Sequence, residues 1–195
     1  MIYQRPSVQH LKSEGLPHSD RLLETKAAYW EPRIKTYGFQ KITDLCLVEV
    51  SGPLSAMSDL GLSLFRLGEE GIGFHLAFSR ASTSEFELSL LVSRQAEKAV
   101  ADRLNSLIPA EVLMRRVSPA ELVFFQGPHF GDRYGIFHAA AKALSDRGLT
   151  MLAFTCSGSC VYIVLPKGKS GEAVLALTDA FEIPVRRISR HRNTG

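Results

Sequence analysis

The sequence predicts an α+β protein built from two copies of one β-α-β-β-α-β unit, each an antiparallel sheet with its helices on one face. Three observations carry that expectation. The chain repeats itself: Leu47-Val48 and Gly52-Pro53 return as Leu122-Val123 and Gly127-Pro128, each 75 residues further on. Leu76-Ala77-Phe78 returns in the same way as Leu152-Ala153-Phe154, 76 residues on. The order of patterns recurs too, with period-two apolar runs and helical stripes alternating identically in both halves. Finally, 195 residues with 45% hydrophobic and 22% charged side chains suffice for two small cores.

In the first copy, Ile42 to Val50 is a β-rich run that ends at Gly52-Pro53. Leu60, Leu64 and Leu67 then fall on one helical stripe with Phe65 beside it, and Gly71 is placed to stop the helix in a left-handed conformation. Phe74, Leu76 and Phe78 alternate with smaller neighbours, Ala81 to Glu85 turns, and Phe86, Leu88, Leu90 and Val92 alternate against Glu85, Glu87 and Ser89. A strand with one apolar and one polar face belongs to a sheet covered on one side. Ala96, Val100, Leu104 and Leu107 mark a second helix halted by Pro109, and Val112, Met114 and Val117 a fourth strand.

The second copy opens with Leu122 to Phe125 and a glycine-bearing loop, Gly127 to Gly131. Its first helix is expected from about Asp132, where the carboxylate would cap it, with Phe137, Ala140, Ala141 and Leu144 on the buried stripe and Gly148 at its end. Met151 to Cys156 and Cys160 to Leu165 read as a hairpin, Val174, Leu177 and Phe181 as the last helix, and Val185 to Ser189 as the last strand. Its strands are apolar on both faces, so a cover from the N-terminal segment or another subunit is expected over the second face. Residues 1–40 form an N-terminal extension, with a short helix over Asp20 to Trp30 and an extra strand over Arg33 to Phe39. The implied division is 1–40, 41–118, 119–190 and a basic tail at 191–195.

Composition narrows the function. No apolar run approaches the roughly 18 residues of a membrane span, and the first residues lack the apolar core of a secretory signal, which points to the cytoplasm. Three cysteines make no disulfide framework or zinc pattern. Cys156 and Cys160 flank a turn and are placed to face each other across it, although a reducing compartment favours two packed thiols. Arg186, Arg187, Arg190, His191 and Arg192 give a basic end to a chain of net charge +3, a weak argument for nucleic acid. No Walker loop, carboxylate pair or Ser/His/Asp set is present, and no metal or cofactor is implied.

The stretches VSGPLSAMSDLGLSLFRLGEEGIGFHLAFSRASTSEFELSLLV and FFQGPHFGDRYGIFHAAAKALSDRGLTMLAFTCSGSCVYIVLP resemble tandem ACT domains. The pattern is most similar to the C-terminal regulatory ACT pair of aspartokinases, whose topology is the ferredoxin-like plan. The resemblance implies a non-catalytic amino-acid sensor that acts through a ligand-dependent homodimer or a partner biosynthetic enzyme. It implies no kinase activity, because the kinase phosphate-binding motif is absent. It also implies that ligand contacts come from the first β-α loop and the strand after the helix. In the second unit these positions are Gly127, His129, Phe130, Gly131, Asp132, Arg133 and Tyr134, then Leu152, Ala153 and Phe154. In the first they are Gly52, Ser55, Ser58 and Asp59, then His75. The aspartate that aspartokinase units often carry early in that strand is replaced here by His75 and Leu152.

The residues of the second loop support such a site independently. Helix N-terminal N–H groups suit a carboxylate, and glycines let a ligand approach the backbone. Arg133 would reinforce the carboxylate contact in bidentate fashion, Asp132 would accept from an ammonium, and His129, Phe130 and Tyr134 would wall in a side chain. Two other readings share these residues: a ligand-free interaction subunit of a biosynthetic enzyme, and a small enzyme using His129, Asp132 and Arg133.

Overall fold

The computed structural model describes residues 33–183 apart from Ile108 and Asp132. The Asp20 to Trp30 helix, the Val185 to Ser189 strand, the arginine-rich end and Asp132 all lie outside the described residues. The elements run β1 (Ile34–Lys35), β2 (Phe39–Pro53), α1 (Met57–Glu69), β3 (Phe74–Ala81), β4 (Glu85–Ser93) and α2 (Glu97–Leu107). They continue with β5 (Leu113–Gln126), α3 (Ile136–Asp146), β6 (Ala153–Ser157), β7 (Cys160–Pro166), α4 (Ser170–Ala180) and β8 (Phe181–Glu182).

Six strands form one antiparallel sheet in the order β3-β4-β2-β5-β7-β6. This contains two ferredoxin-like units that share their central strands. The C-terminal half of β2 pairs with β4 on one side and the N-terminal half of β5 on the other, through pairs such as Val50–Leu88 and Val50–Met114. The C-terminal half of β5 pairs with β7, for example Val123 with Ile163. On its other side lie Phe39 to Ile42, which fill the fourth sheet position of the second unit. The two halves of β2 are offset by register shifts between Ile42 and Leu47, where Asp44 adopts φ 59°. A bulge of this kind raises local twist and lets one strand serve both units of the sheet.

The helices lie on one face. Leu60 and Leu67 of α1 and Val100 and Leu104 of α2 bury against Cys46, Val48, Val50, Phe86 and Leu90. Ala140 and Leu144 of α3 and Ala176 and Leu177 of α4 bury against Val123, Phe125, Ile163 and Leu165. Burying each such aliphatic side chain is worth roughly 1.5–3 kcal/mol. On the opposite face, Leu122 and Val164 of the second unit are buried, in line with strands apolar on both faces, and Leu45, Leu47 and Leu91 join them from the first unit, where a polar face was expected.

The stop signals after α1 and α3 have the same geometry. Gly71 (φ 75°) and Gly148 (φ 65°) follow α1 and α3, and Ile72 N–H and Leu149 N–H donate back to Leu67 and Leu144. Both are Schellman turns, in which only glycine takes the positive φ without strain.

Three expectations are corrected. α3 starts at Ile136, not near Asp132, and its cap is Gly135 with φ 87° and no side-chain hydrogen bond. The loop is longer than a minimal β-α connection because Phe130 turns inward to pack edge-on to Phe125, centroids 5.8 Å apart. Phe181 is not helical: it opens β8 and packs edge-on to Phe125 at 4.9 Å, so its burial rather than helical periodicity explains its apolar character. Of the extra strand over Arg33 to Phe39, only Ile34–Lys35 forms β1, parallel to β8; Gly38 at φ 113° then turns the chain into β2.

Candidate functional site

The β5–α3 connection, residues 127–135, is where the second unit departs from the first. Gly127 has no room for a side chain, since a Cβ there would meet the Lys35 carbonyl and the Phe130 ring. That crowding pins the start of the loop. Phe130 is buried in the helical core. His129 sits at φ 61° and is exposed, as is Gly131. The His129 carbonyl accepts from the Arg133 N–H at 2.9 Å, closing the loop into a turn before α3.

Beside this turn is a cavity of about 240 Å³. Phe130, Arg133 and Tyr134 line it from the loop, Gly135 to Phe137 from the helix start, and Cys156 with Gly158 to Val161 from the β6–β7 hairpin. Tyr134 is 95% exposed and stands at its rim. The first intrahelical bond of α3 runs from Ala139 N–H to the Gly135 carbonyl, so the N–H groups of Ile136, Phe137 and His138 precede the helical ladder. Gly135 offers no side-chain cap, and this end of α3 directs the positive pole of its dipole beside the cavity. Phe137 stacks on Phe154, centroids 4.1 Å apart, and stiffens the wall.

The geometry sorts the predicted residues. Phe130, Arg133 and Tyr134 come together, and Phe154 supports them through Phe137. Leu152 and Ala153 face the other way, into the cluster on the opposite side of the sheet. In the first unit Gly52 is packed, a Cβ there lying 2.8 Å from Val112 Cγ2. Ser55, Ser58, Asp59 and His75 are exposed on the surface.

The hairpin contribution was missed in the sequence, although Ser157-Gly158-Ser159 marked the turn that supplies it. Register places Cys156 opposite Val161 and Cys160 opposite Ser157, so the two thiols are not a cross-strand pair. This corrects the facing arrangement expected of them: a two-residue tip puts neighbouring register positions on opposite faces. Both cysteines are free, and burial pushes the Cys156 thiol above its ordinary pKa.

Glu121 is a buried polar residue the sequence did not single out. Only 7% exposed, it accepts hydrogen bonds from Gly168 N–H and Ser170 N–H, both at 2.8 Å, at the N-terminus of α4. Burial pushes its pKa up, but hydrogen bonds from Ser170 and Gly168 and the charge of Lys41 outweigh that and hold it below the ordinary carboxylate value. It is a cap supplied from a strand.

Together these features define a tandem ACT-type fold in which two ferredoxin-like units share one sheet. No protein-family model matches the chain, and no curated protein matches its sequence. Among solved structures, the chain is similar to regulatory subunits of aspartate kinases and to parts of longer aspartate kinases. The regulatory subunit of aspartate kinase from Thermus thermophilus, in its ligand-free form, superposes with TM-score 0.64 at 16% identity, over 75% of this chain and 99% of that one. The aspartate kinase of Synechocystis gives TM-score 0.68 at 15% identity, over 77% of this chain and 27% of that one. Escherichia coli aspartokinase III in complex with lysine and aspartate gives 0.53 at 15% identity, over 79% of this chain and 35% of that one. At these identities the likeness is one of fold. No helix among the described residues is long and apolar enough to cross a membrane.

Proposed function

We propose that this chain is a non-catalytic regulatory protein whose second ACT-type unit binds a small amino acid beside the N-terminus of α3. Its working division is 41–118 and 119–190, with extensions at 1–40 and 191–195. The observation that carries the reading is the glycine-started helix end beside a small cavity that also holds Arg133 and Tyr134. Amide N–H groups and a guanidinium suit a carboxylate, and the aromatic wall suits an apolar or long side chain. The volume, below the roughly 300–1,000 Å³ of drug-sized sites, restricts the ligand to a small metabolite. The fold likeness to an aspartokinase crystallised with lysine and aspartate supports testing those two first. Binding would be transmitted through a homodimer or a partner biosynthetic enzyme, provided the ligand distinguishes two states of the assembly.

A thermal-shift panel of the twenty amino acids at up to 10 mM tests this. One of them raises the midpoint by mass action, and Arg133→Ala abolishes the rise; no shift from any amino acid overturns the reading. A second reading, a ligand-free interaction subunit, is favoured by α1, where Leu62 and Phe65 are 48% and 62% exposed. In that case Leu62→Ser with Phe65→Ser lowers the mass seen by light scattering at equal concentration, and the panel stays flat.

A further inference from the structure

A second cavity, about 270 Å³, lies at the end of the sheet where β2, β5 and β7 meet. Register puts Gln40, Phe124 and Tyr162 in one cross-strand row, on the face opposite the helices. Gln126 and Cys160 form the next row on that face, and Tyr37, 68% exposed, borders the cavity. The Phe124 and Tyr162 rings are nearly parallel, 19° between planes, with centroids 6.0 Å apart. That spacing is wider than the closed Phe137–Phe154 stack at 4.1 Å. A ring laid against either member would extend the stack.

The chemistry differs in kind from that of the first cavity. Among the described residues, no Asp, Glu, Lys, Arg or His lines this one. Among the described lining residues, a zwitterionic amino acid would find no charge to pair with its own. A side-chain hydrogen bond with Cys160, and then burial, raise the Tyr162 pKa, so its hydroxyl is neutral at physiological pH. What remains is aromatic surface with two carboxamides, each able to donate and accept in one plane. A flat, uncharged ring edged with donors and acceptors satisfies both features.

We propose that the open face of the second unit, around Phe124, Tyr162, Gln40 and Gln126, is a binding site for a nucleobase, stacked on the rings and read at its edge by the carboxamides. The base is supplied either by a free nucleoside or by a single-stranded oligonucleotide; the protein chemistry is the same.

Calorimetric titration of the full chain with adenosine, uridine and the single-stranded octamer of adenylate tests this. Binding is expected for at least one probe, weakened about fivefold or more by Phe124→Leu. Gln40→Ala, at an exposed position, is expected to narrow the preference between adenosine and uridine without unfolding the protein. Adenosine binding as tight as octamer binding assigns the site to a free nucleoside, and octamer binding alone assigns it to a single strand. No binding of any probe at 5 mM, or binding that neither substitution alters, overturns the proposal. The amino-acid panel uses different probes and a different face of the sheet, so failure of one reading leaves the other standing.

Discussion

The two units place the same secondary structure around a sheet but solve two junctions differently. In the first, β2 passes Gly52-Pro53 and enters α1 through a single 3-10 turn at Leu54–Ala56, with Leu54 N–H donating to the Ser84 carbonyl. In the second, the loop swings out, buries Phe130 and leaves a cavity before Ile136. The second helices differ as well. Glu121 caps α4 from the neighbouring strand, whereas the corresponding residue in the first unit is Cys46, 75 positions earlier and fully buried. There the acid sits on the helix itself: Glu97 accepts from the Ser118 hydroxyl at 2.7 Å and from Arg116 at 3.4 Å. The sheet-facing cores tolerate little change because they are close-packed, while the junctions are free to diverge. The proposed ligand site therefore rests on one copy's junction and not on the repeat.

The glycines of the two Gly-Pro turns give the sharpest test of that difference. Gly127→Ala is expected to cost about 3 kcal/mol in urea denaturation, because the new methyl meets a backbone carbonyl and a packed ring. Gly52→Ala is expected to cost less, about 2 kcal/mol, since its Cβ meets only Val112, at 2.8 Å from Cγ2 and 3.3 Å from Cα. Equal losses would break the claim that the two turns are differently constrained.

Next in size is the cap. Glu121→Gln replaces an ionised acceptor of two backbone N–H groups and is expected to destabilise by about 2 kcal/mol at pH 7. Because the folded pKa is lowered, this contribution is present above the ordinary carboxylate value near 4.3 and is lost as pH falls through the folded value. The gap between wild type and variant should therefore narrow from pH 6 to pH 3 in chemical melts. Cys46→Ala in the first unit should cost about 1 kcal/mol, with no such narrowing.

The smallest stability effect is expected at Tyr134. Being almost wholly exposed, Tyr134→Ala should leave the urea midpoint within about 0.5 kcal/mol of wild type. Calorimetry with the amino acid identified by the panel should nonetheless show several-fold weaker binding. A large stability loss would mean that this side chain is a packing residue like Phe130.

Much of the fold was legible because it rests on local rules. The alternation of Phe86, Leu88, Leu90 and Val92, the stripe of Leu60 and Leu67, and the stops at Gly71 and Gly148 all follow from periodicity and from glycine's access to positive φ. The candidate site was legible only in part. Phe130, Arg133 and Tyr134 stood in one glycine-bearing run, but the hairpin wall comes from residues about 25 positions later and had no local signal beyond its turn.

The sequence by itself determined two copies of one unit, the strand and helix types, and the loop richest in groups that hold a carboxylate. Only the tertiary structure decided that Phe39 to Ile42 occupy the fourth strand position beside β5, that α3 begins after Gly135, and that Glu121 caps a helix that starts 49 residues away. Periodicity reports which face of an element is apolar, because that depends on neighbours along the chain. Strand order, burial of a lone carboxylate and the walls of a cavity depend on segments distant in sequence, whose pairing is fixed only when the sheet closes around its cores.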